Sequence, residues 1–234
     1  MALVHRKPLV PVIQCVGPED LAEGASTGPY ISLADYRSGW FYIMIGDVAG
    51  ATSAVTLYQA TDYSGTGAKA LEFDNHCRSG QRLKFTGRSA TNFSLGETIT
   101  GGSSGNTAYV AKISSDELVV VILTGSTTWT DAETITGGTS GATATVSGTG
   151  QDEDILVELT TASDTFNTLA ITFKTYAIFV DDSMLDVANG FDHVQIRLAD
   201  ASSTETQGCA IFIPDKPRMA VYPAVSTLYT QKTD

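Results

Sequence analysis

The sequence predicts an all-β protein: an antiparallel β-sandwich, jelly-roll-like, with an inserted small β-hairpin-repeat module and extended terminal arms. Short runs rich in β-branched and aromatic residues fill the middle of the 234-residue chain. No long segment has the 3.6-residue period of an amphipathic helix. All seven prolines lie at or before residue 29 or at or after residue 214. Because proline cannot donate to a sheet ladder, the proline-free middle permits continuous strands.

Strands are expected at eight runs, most of them bounded by turn-rich segments. These runs are 40–45, 54–59, 69–73, 116–123, 154–160, 170–180, 193–198 and 209–213. Only residues 181–188 look locally helical, and this segment is short. The apolar run that begins with Trp40, Phe41 and Tyr42 is interpreted as core rather than as a ligand platform.

The proline-bearing ends, residues 1–29 and 214–234, are predicted to be an N-terminal and a C-terminal arm. Two interpretations stay open: ordinary surface tails, or arms that order against a neighbouring subunit. The second is favoured because both ends carry many apolar residues, which solvated tails seldom do. Between the arms, residues 30–90 and 151–213 are expected to form one discontinuous sandwich domain.

An internal repeat separates the two halves of this sandwich. Residues 97–110 (ETITGGSSGNTAYV) and 133–146 (ETITGGTSGATATV) are identical at 11 of 14 positions and lie 36 residues apart. Each copy joins two β-prone runs through a glycine-serine turn, as a hairpin does. The repeat therefore predicts an inserted β module over residues 91–150. Two copies are too few for a solenoid, which needs at least about three.

The formal net charge of −12 is unevenly distributed. Residues 89–166 hold ten acids and one base, giving −9, and the remainder holds 16 acids and 13 bases, giving −3. A densely acidic face is predicted to be solvated, so the remainder is the better candidate for burial against a partner. One basic cluster stands out, formed by Arg78, Arg82, Lys84 and Arg88. A nucleic-acid contact is one alternative there, but an ion-paired contact with another protein or with the acidic module is favoured.

No sequence pattern identifies a catalytic, cofactor-binding or metal site. The Gly-x-Ser-x-Gly sequence at 101–105 fits the nucleophile elbow of serine hydrolases, but it lies at a predicted hairpin tip. Asp181, Asp182 and Asp186 could gather calcium, although turn and helix capping is favoured. The histidines are isolated, the three cysteines have no CxxC spacing, and no run of 18 apolar residues exists. We expect no enzyme, no cofactor, no direct nucleic-acid partner and no membrane contact, although two carboxylates can converge from anywhere in a fold.

Two stretches resemble segments of tailed-bacteriophage virion proteins. They are residues 54–73 (AVTLYQATDYSGTGAKALEF) and 179–200 (FVDDSMLDVANGFDHVQIRLAD). The repeated unit of residues 97–110 also resembles modules found in phage structural proteins. The chain thus resembles capsid decoration (cement) proteins of the phage head. It departs from that pattern in carrying residues 91–150 between the two halves of one sandwich, and the resemblance brings no catalytic residues.

The resemblance implies a virion structural protein on the capsid exterior, synthesised in the bacterial host cytoplasm. It would stabilise the shell by bridging neighbouring major capsid protein subunits, next to further copies of itself as a homotrimer at local three-fold positions. The expected capsid or subunit contacts are arm residues and the basic cluster. They are Arg6, Lys7, Leu9, Val10, Val12, Ile13, Arg78, Arg82, Lys84, Arg88, Arg218, Tyr222 and Tyr229.

Two rival functions stay open. The first is a tail-fibre or receptor-binding module that recognises host surface glycan through the loops of the repeat module. It needs exposed aromatic side chains near those loops, and Tyr109 and Trp129 are the candidates. The second is a glycan-cleaving enzyme, which is the less favoured because the carboxylates show no pattern.

Overall fold

The structure, a computed structural model, describes residues 11–49, 52–170, 172–201 and 205–217. The strands of these residues are, in chain order, β1 (Ile13–Asp20), β2 (Ser26–Thr27), β3 (Ile31–Ser32), β4 (Tyr36–Val48), β5 (Ala54–Ala60), β6 (Lys69–Ala70), β7 (Phe73–Thr86), β8 (Thr98–Gly101), β9 (Thr107–Ile113), β10 (Glu117–Thr124), β11 (Thr134–Gly137), β12 (Thr143–Val146), β13 (Gln151–Ser163), β14 (Thr165–Asn167), β15 (Lys174–Asp181), β16 (His193–Leu198) and β17 (Thr206–Pro217). Three short 3-10 turns span Leu21–Glu23, Asp182–Met184 and Val187–Asn189. The strands pair antiparallel, which confirms the all-β, sandwich-like fold. No helix among the described residues has the length and hydropathy needed to cross a membrane.

Two sheets pack face to face to form the sandwich. The larger sheet runs from β1 through β17, β4 and β15 to β7, and β13 also pairs with β7. The smaller sheet has the order β14-β5-β16-β2, extended by β3 and β6. Both sheets contribute to one hydrophobic core, in which the rings of Phe41 and Phe212 have centroids 4.7 Å apart. Leu57 of β5 and Ile196 of β16 are fully buried on the other side of this core.

The second half of β7 belongs to a separate core inside a closed barrel. The strands follow one another in the order β7-β10-β9-β8-β11-β12, and β12 returns to β7 where Val146 lies opposite Phe85. Leu83, Trp129 and Ile135 are fully buried in this second core. The repeat module thus supplies five strands of the barrel, and β7, which lies before residue 91, supplies the sixth. One long strand therefore joins the barrel to the sandwich.

The first described residues are not a separate arm, which corrects our expectation for residues 13–29. Strand β1 pairs with β17, and both Val16 and Leu21 are buried in the sandwich core. Pro18 is accommodated because β1 is an edge strand with an irregular register between Val16 and Glu19. Residues 1–10 lie outside the described residues.

The start of the predicted C-terminal arm is also part of the sheet. Strand β17 continues past Ile213 to Pro217, which lies opposite Tyr36 of β4. Strand β1 pairs with β17 only as far as Phe212. Pro214 and Pro217 follow Phe212, where one edge of β17 has no partner strand among the described residues, so their missing N–H groups are tolerated. Residues 218–234 lie outside the described residues.

The strand expected at 170–180 begins later than predicted. Phe173 has a left-handed backbone with φ of 53°, so regular pairing starts only at Lys174. The segment expected to be helical at 181–188 forms two 3-10 turns. Asp181 caps the first by accepting a hydrogen bond from the Ser183 backbone N–H, and Asp186 binds the Lys69 ammonium at 2.5 Å.

Candidate docking surface

The repeated motif forms a reciprocal lock between the two hairpins of the barrel. The Glu133 carboxylate, 3% exposed, accepts hydrogen bonds from the Ser103 N–H (3.1 Å), the Ser104 N–H (2.9 Å) and the Ser104 hydroxyl (2.9 Å). Glu97, 4% exposed, does the same at the tip of the second hairpin. Its donors are the Thr139 N–H (3.1 Å), the Ser140 N–H (2.9 Å) and the Ser140 hydroxyl (2.8 Å). Each repeat thus holds the tip of the other.

Each carboxylate of this lock has a fourth donor, a backbone N–H three residues before it in the chain. The Thr130 N–H donates to Glu133 at 2.7 Å, and the Ser94 N–H donates to Glu97 at 2.6 Å. Burial raises the pKa of both carboxyls, but these donors together outweigh it and hold the pKa of each below its ordinary value. Both glutamates are therefore structural anions at neutral pH.

The glycines of the motif allow the tips to approach the carboxylates. A Cβ on Gly101 would lie 2.6 Å from Glu133 Oε2, and one on Gly137 would lie 2.8 Å from the Glu97 carboxylate oxygens. The Gly-x-Ser-x-Gly sequence at 101–105 is accordingly a hairpin tip whose donors serve the lock. The repeat therefore has a structural role in folding. A hairpin tip at residues 101–105 is not the strand-to-helix turn that a serine nucleophile elbow requires.

The aromatic side chains suggested for glycan binding are not presented together at these loops. Trp129 is fully buried, and its indole N–H donates to Gln81 Oε1 at 3.0 Å. Tyr109 is half-buried on β9. A fully buried indole cannot stack on a sugar ring, so the glycan alternative loses one of its two candidates.

The predicted basic cluster does not form a single surface. Arg82 is paired with Glu117 at 3.2 Å and with Glu153 at 2.8 Å, so it bridges the barrel to β13. Lys84 and Arg88 are exposed. Arg78 instead lies over the Phe166 and Tyr176 rings, with its guanidinium carbon 5.7 Å from each centroid.

Arg78 also perturbs a buried histidine beside it. Its Nε–H donates to His76 Nε2 at 3.0 Å, and the His76 ring stacks on Phe166 with centroids 4.5 Å apart. Burial, and then the charge of Arg78, lowers the pKa of His76 to about 4. Burial likewise lowers the pKa of Arg78. Arg78 is thus engaged by His76, by the Asn167 carbonyl oxygen and by two aromatic rings, apart from the exposed Lys84 and Arg88.

The larger sheet is apolar on both sides, and this is its most unusual property. We call the side chains that alternate with the core residues of β4, β7, β15 and β17 the outer face. The apolar residues of the outer face are Trp40, Tyr42, Met44, Cys77, Ala177, Phe179, Cys209, Ile211 and Ile213, and polar residues border them: Ser38, Asp181 and Asp215 at one end, and Asn75, Ser79 and Thr175 on β7 and β15. None of these residues belongs to either hydrophobic core.

Strand register arranges the outer face in rows. Ile213, Trp40 and Phe179 lie opposite one another on three adjacent strands, and Ile211, Tyr42 and Ala177 form the next row. The Trp40 and Phe179 rings have centroids 5.1 Å apart. All the large side chains in these two rows are half-buried in the described structure. The surface is therefore continuous across at least three strands.

A hollow of about 250 Å³ opens on this face between Trp40, Phe179, Cys77, Asn75 and Glu158. Burial, with the charge of Glu158 adding to it, raises the pKa of Cys77, so its thiol is neutral at physiological pH. The hollow is thus lined mainly by apolar groups, with one carboxylate at the rim. Its shape and chemistry suit an apolar side chain of a partner.

Two of the predicted contact residues lie at one end of the larger sheet. Val12 is 61% exposed, and Ile13, which packs against the sandwich core, lies opposite Phe212 of β17. The chain therefore begins β1 and ends β17 at the end of the sheet that carries Trp40 and Ile213. The other predicted arm contacts lie outside the described residues: Arg6, Lys7, Leu9, Val10, Arg218, Tyr222 and Tyr229.

Sequence reasoning placed Trp40 and Tyr42 in the core, and the structure places only their neighbour Phe41 there. The signal that could have revealed the outer face is the unbroken apolar run at 40–45, since a strand with one solvated face normally alternates.

Among the described residues, no group of three or more His, Cys, Asp or Glu side chains is arranged to hold a metal ion. The chain matches no known protein family and no curated protein.

Proposed function

We propose that this chain is a virion structural protein of the capsid-decoration kind, which binds the outside of an assembled phage shell. It would act by adhesion, bridging neighbouring major capsid protein subunits, and not by catalysis. The observation that carries the proposal is the outer face: a sheet apolar on both sides, with both ends of the described chain at one end of it.

The two stretches that carry the phage resemblance form one structural unit, which supports this proposal. Strand β5 of the first stretch pairs with β16 of the second, where Leu57 lies opposite Ile196. The Asp186 backbone N–H donates to Gln59 Oε1 at 2.8 Å, and Lys69 binds the Asp186 carboxylate. Residues 117 and 127 positions apart in the chain thus belong to the same local arrangement. Two resembling stretches that contact each other in the fold are a stronger indication of a shared fold than two resembling stretches that lie apart.

Charge supports a particular orientation on the shell. Residues 89–166 carry a net charge of −9 and the remainder carries −3, but five of the ten acids in this range lie on β13 or directly after it and not in the barrel. Burying the near-neutral side against the shell costs less desolvation than burying the acidic side. The exposed barrel acids Asp116 and Asp131 would then point outward, where like charges keep particles apart.

Stable protein interfaces bury on the order of 1,600 Å² in total. The outer face and the ends of the described chain beside it would supply that contact, and copies at local three-fold positions would form a homotrimer around a closed axis. The tail-fibre or receptor-binding alternative remains a competing proposal, supported mainly by the exposed hairpin tips of the barrel. The burial of Trp129 counts against it.

The test is to locate and count the protein in purified virions by cryo-electron microscopy and quantitative mass spectrometry. A decoration protein is expected on the head at a copy number close to that of the shell subunit. A few dozen copies at the tail would contradict the proposal and support the fibre alternative.

A binding experiment tests the outer face directly. Ile211→Asp places a carboxylate in the middle of the face, and it should abolish co-sedimentation with shells that lack the protein. Tyr63→Ala is the matched control, since Tyr63 is 80% exposed in the loop between β5 and β6. Equal binding of the two variants would exclude the outer face as the docking surface.

A further inference from the structure

Phe173 is an exposed aromatic residue with a strained backbone. Its side chain is 76% exposed, and its φ of 53° lies in the left-handed region that bulky residues rarely adopt. The Phe173 N–H donates to the Gly46 carbonyl oxygen at 2.8 Å, which holds the backbone in this conformation. Glycine would adopt it without strain. Folding therefore gains little from phenylalanine at this position, and strain of this kind points to a role in binding.

A groove of about 480 Å³ lies directly beside this side chain. Tyr42, Ile155, Leu156 and Phe173 provide its apolar lining, and Ile155 is 48% exposed. Its volume falls within the roughly 300–1,000 Å³ of pockets that hold small organic ligands, so a phenyl ring fits. A projecting ring and a hollow able to receive it thus lie side by side on one surface.

The charged residues at the groove are paired with one another. Lys174 binds Asp152 at 2.5 Å, and Glu153 binds Arg82 at 2.8 Å. The rim is therefore close to neutral although the chain carries −12. Two copies of so acidic a protein repel each other over most of their surface, and a neutral patch is where they can approach.

From these observations we infer that the groove receives Phe173 of a second copy of this chain. A projection and its receptor on the same patch make that patch self-complementary, so each copy inserts its ring into the other about a two-fold axis. This contact goes beyond shell binding. The groove shares Tyr42 with the outer face, whereas the ends of the described chain and the row that contains Trp40 lie at the other end of that face.

The experiment measures the mass of the full chain in solution by sedimentation velocity and light scattering over a wide concentration range. The wild-type chain should approach twice the 24.7 kDa of one chain as concentration rises. Phe173→Gly should weaken this association at least about 30-fold, the effect of removing an interface hot spot. The same variant should unfold at an equal or higher temperature, because glycine relieves the backbone. That combination separates loss of binding from loss of folding.

Two further variants sharpen the assignment. Ile155→Asp blocks the groove and should weaken the association, whereas Tyr63→Ala, the exposed-aromatic control, should not. Mixing Phe173→Gly with Ile155→Asp should restore a heterodimer, since one intact ring then meets one intact groove. A wild-type chain that stays monomeric at all concentrations overturns the inference. So does an oligomer that persists in both Phe173→Gly and Ile155→Asp.

Discussion

The barrel and the sandwich bury their apolar residues in different ways. The barrel closes on itself through β7 and β12, and its two hairpins hold each other through Glu97 and Glu133. The sandwich has a comparable core, but its larger sheet also carries an apolar outer face that no described element fully covers. The barrel is thus complete as a folding unit, and the sandwich presents surface that a partner can bury. Closure removes strand edges, so the barrel is complete without a partner strand, whereas the sandwich leaves an apolar face open to one.

The largest expected effect contrasts the two faces of β4. Phe41→Ala should reduce the free energy of unfolding by about 4 kcal/mol, because it empties a packed site against Phe212. Tyr42→Ala, one residue later and on the outer face, should reduce the free energy of unfolding by only about 1 kcal/mol, as substitutions on the exposed face of a strand do. Urea unfolding followed by Trp40 fluorescence in a Trp129→Phe background measures both. Equal losses would show that the outer face is as buried as the core.

The next effect concerns the lock of the barrel. Glu133→Gln should cost about 3 kcal/mol, because an amide cannot accept all four hydrogen bonds and leaves buried donors unpaired. Glu97→Gln should cost a similar amount, since the two sites are equivalent. Barrel unfolding can be followed by Trp129 fluorescence in a Trp40→Phe background. A large loss in one variant and none in the other would break the equivalence of the repeats. Glu117→Gln is the control, because Glu117 forms only a partly exposed surface pair with Arg82.

Acid should destabilise the two regions in different pH ranges. His76 in the sandwich has a folded pKa of about 4 against an ordinary value of 6.5, so the unfolded chain binds its proton first. The sandwich should therefore lose stability as pH falls from about 6.5 to 4, by roughly 3 kcal/mol in all. Glu97 and Glu133 have lowered pKa values, so their contribution to the barrel is lost only as pH falls below the ordinary glutamate range near 4.5.

The two single-tryptophan backgrounds measure these pH profiles separately by urea unfolding. His76→Phe should flatten the sandwich profile between pH 6.5 and 4 and leave the barrel profile unchanged. A barrel that lost stability first would contradict the assignment of these groups.

The smallest effect tests a difference between the repeats themselves. Ala132, directly before the second repeat, has φ of 61°, and the residue directly before the first repeat is Gly96 with φ of 82°. Gly96→Ala should destabilise the barrel by about 1 kcal/mol, because a Cβ is disfavoured in the left-handed region. Ala132→Gly should be neutral or slightly stabilising. Thermal unfolding of both variants beside the wild-type chain measures the two effects. A Gly96→Ala variant that is stabilised, together with an Ala132→Gly variant that is destabilised, would show that strain at this turn does not depend on backbone conformation.

Several predictions from sequence describe the elements correctly because they rest on local chemistry. The strand at 193–198 has the predicted bounds, and the run at 116–123 matches β10 to within one residue. The hairpins of the repeat follow from glycine-serine turns between β-prone runs. The arm expected at residues 1–29 was wrong for residues 13–29, because prolines at an edge strand and at a register irregularity do not exclude a strand.

The candidate surface was only partly visible in the sequence. Val12, Ile13 and the apolar run at 40–45 were noted, but the run was assigned to the core because one strand gives no sign of what covers its second face. Phe173 was placed in a strand, since its φ depends on the contact with Gly46. Arg78 was placed in a basic surface cluster, because the side to which a residue of β7 points depends on strand pairing.

The amino-acid sequence alone determined the all-β class, the position of the repeat and the uneven distribution of charge, because each depends on residue type and short-range spacing. Only the tertiary structure decided that Glu97 and Glu133 hold each other's hairpins, that β7 joins two cores and that one sheet is apolar on both sides. These properties depend on which strands pair and in what register, and pairing between residues far apart in the chain is set by the packing of the whole fold.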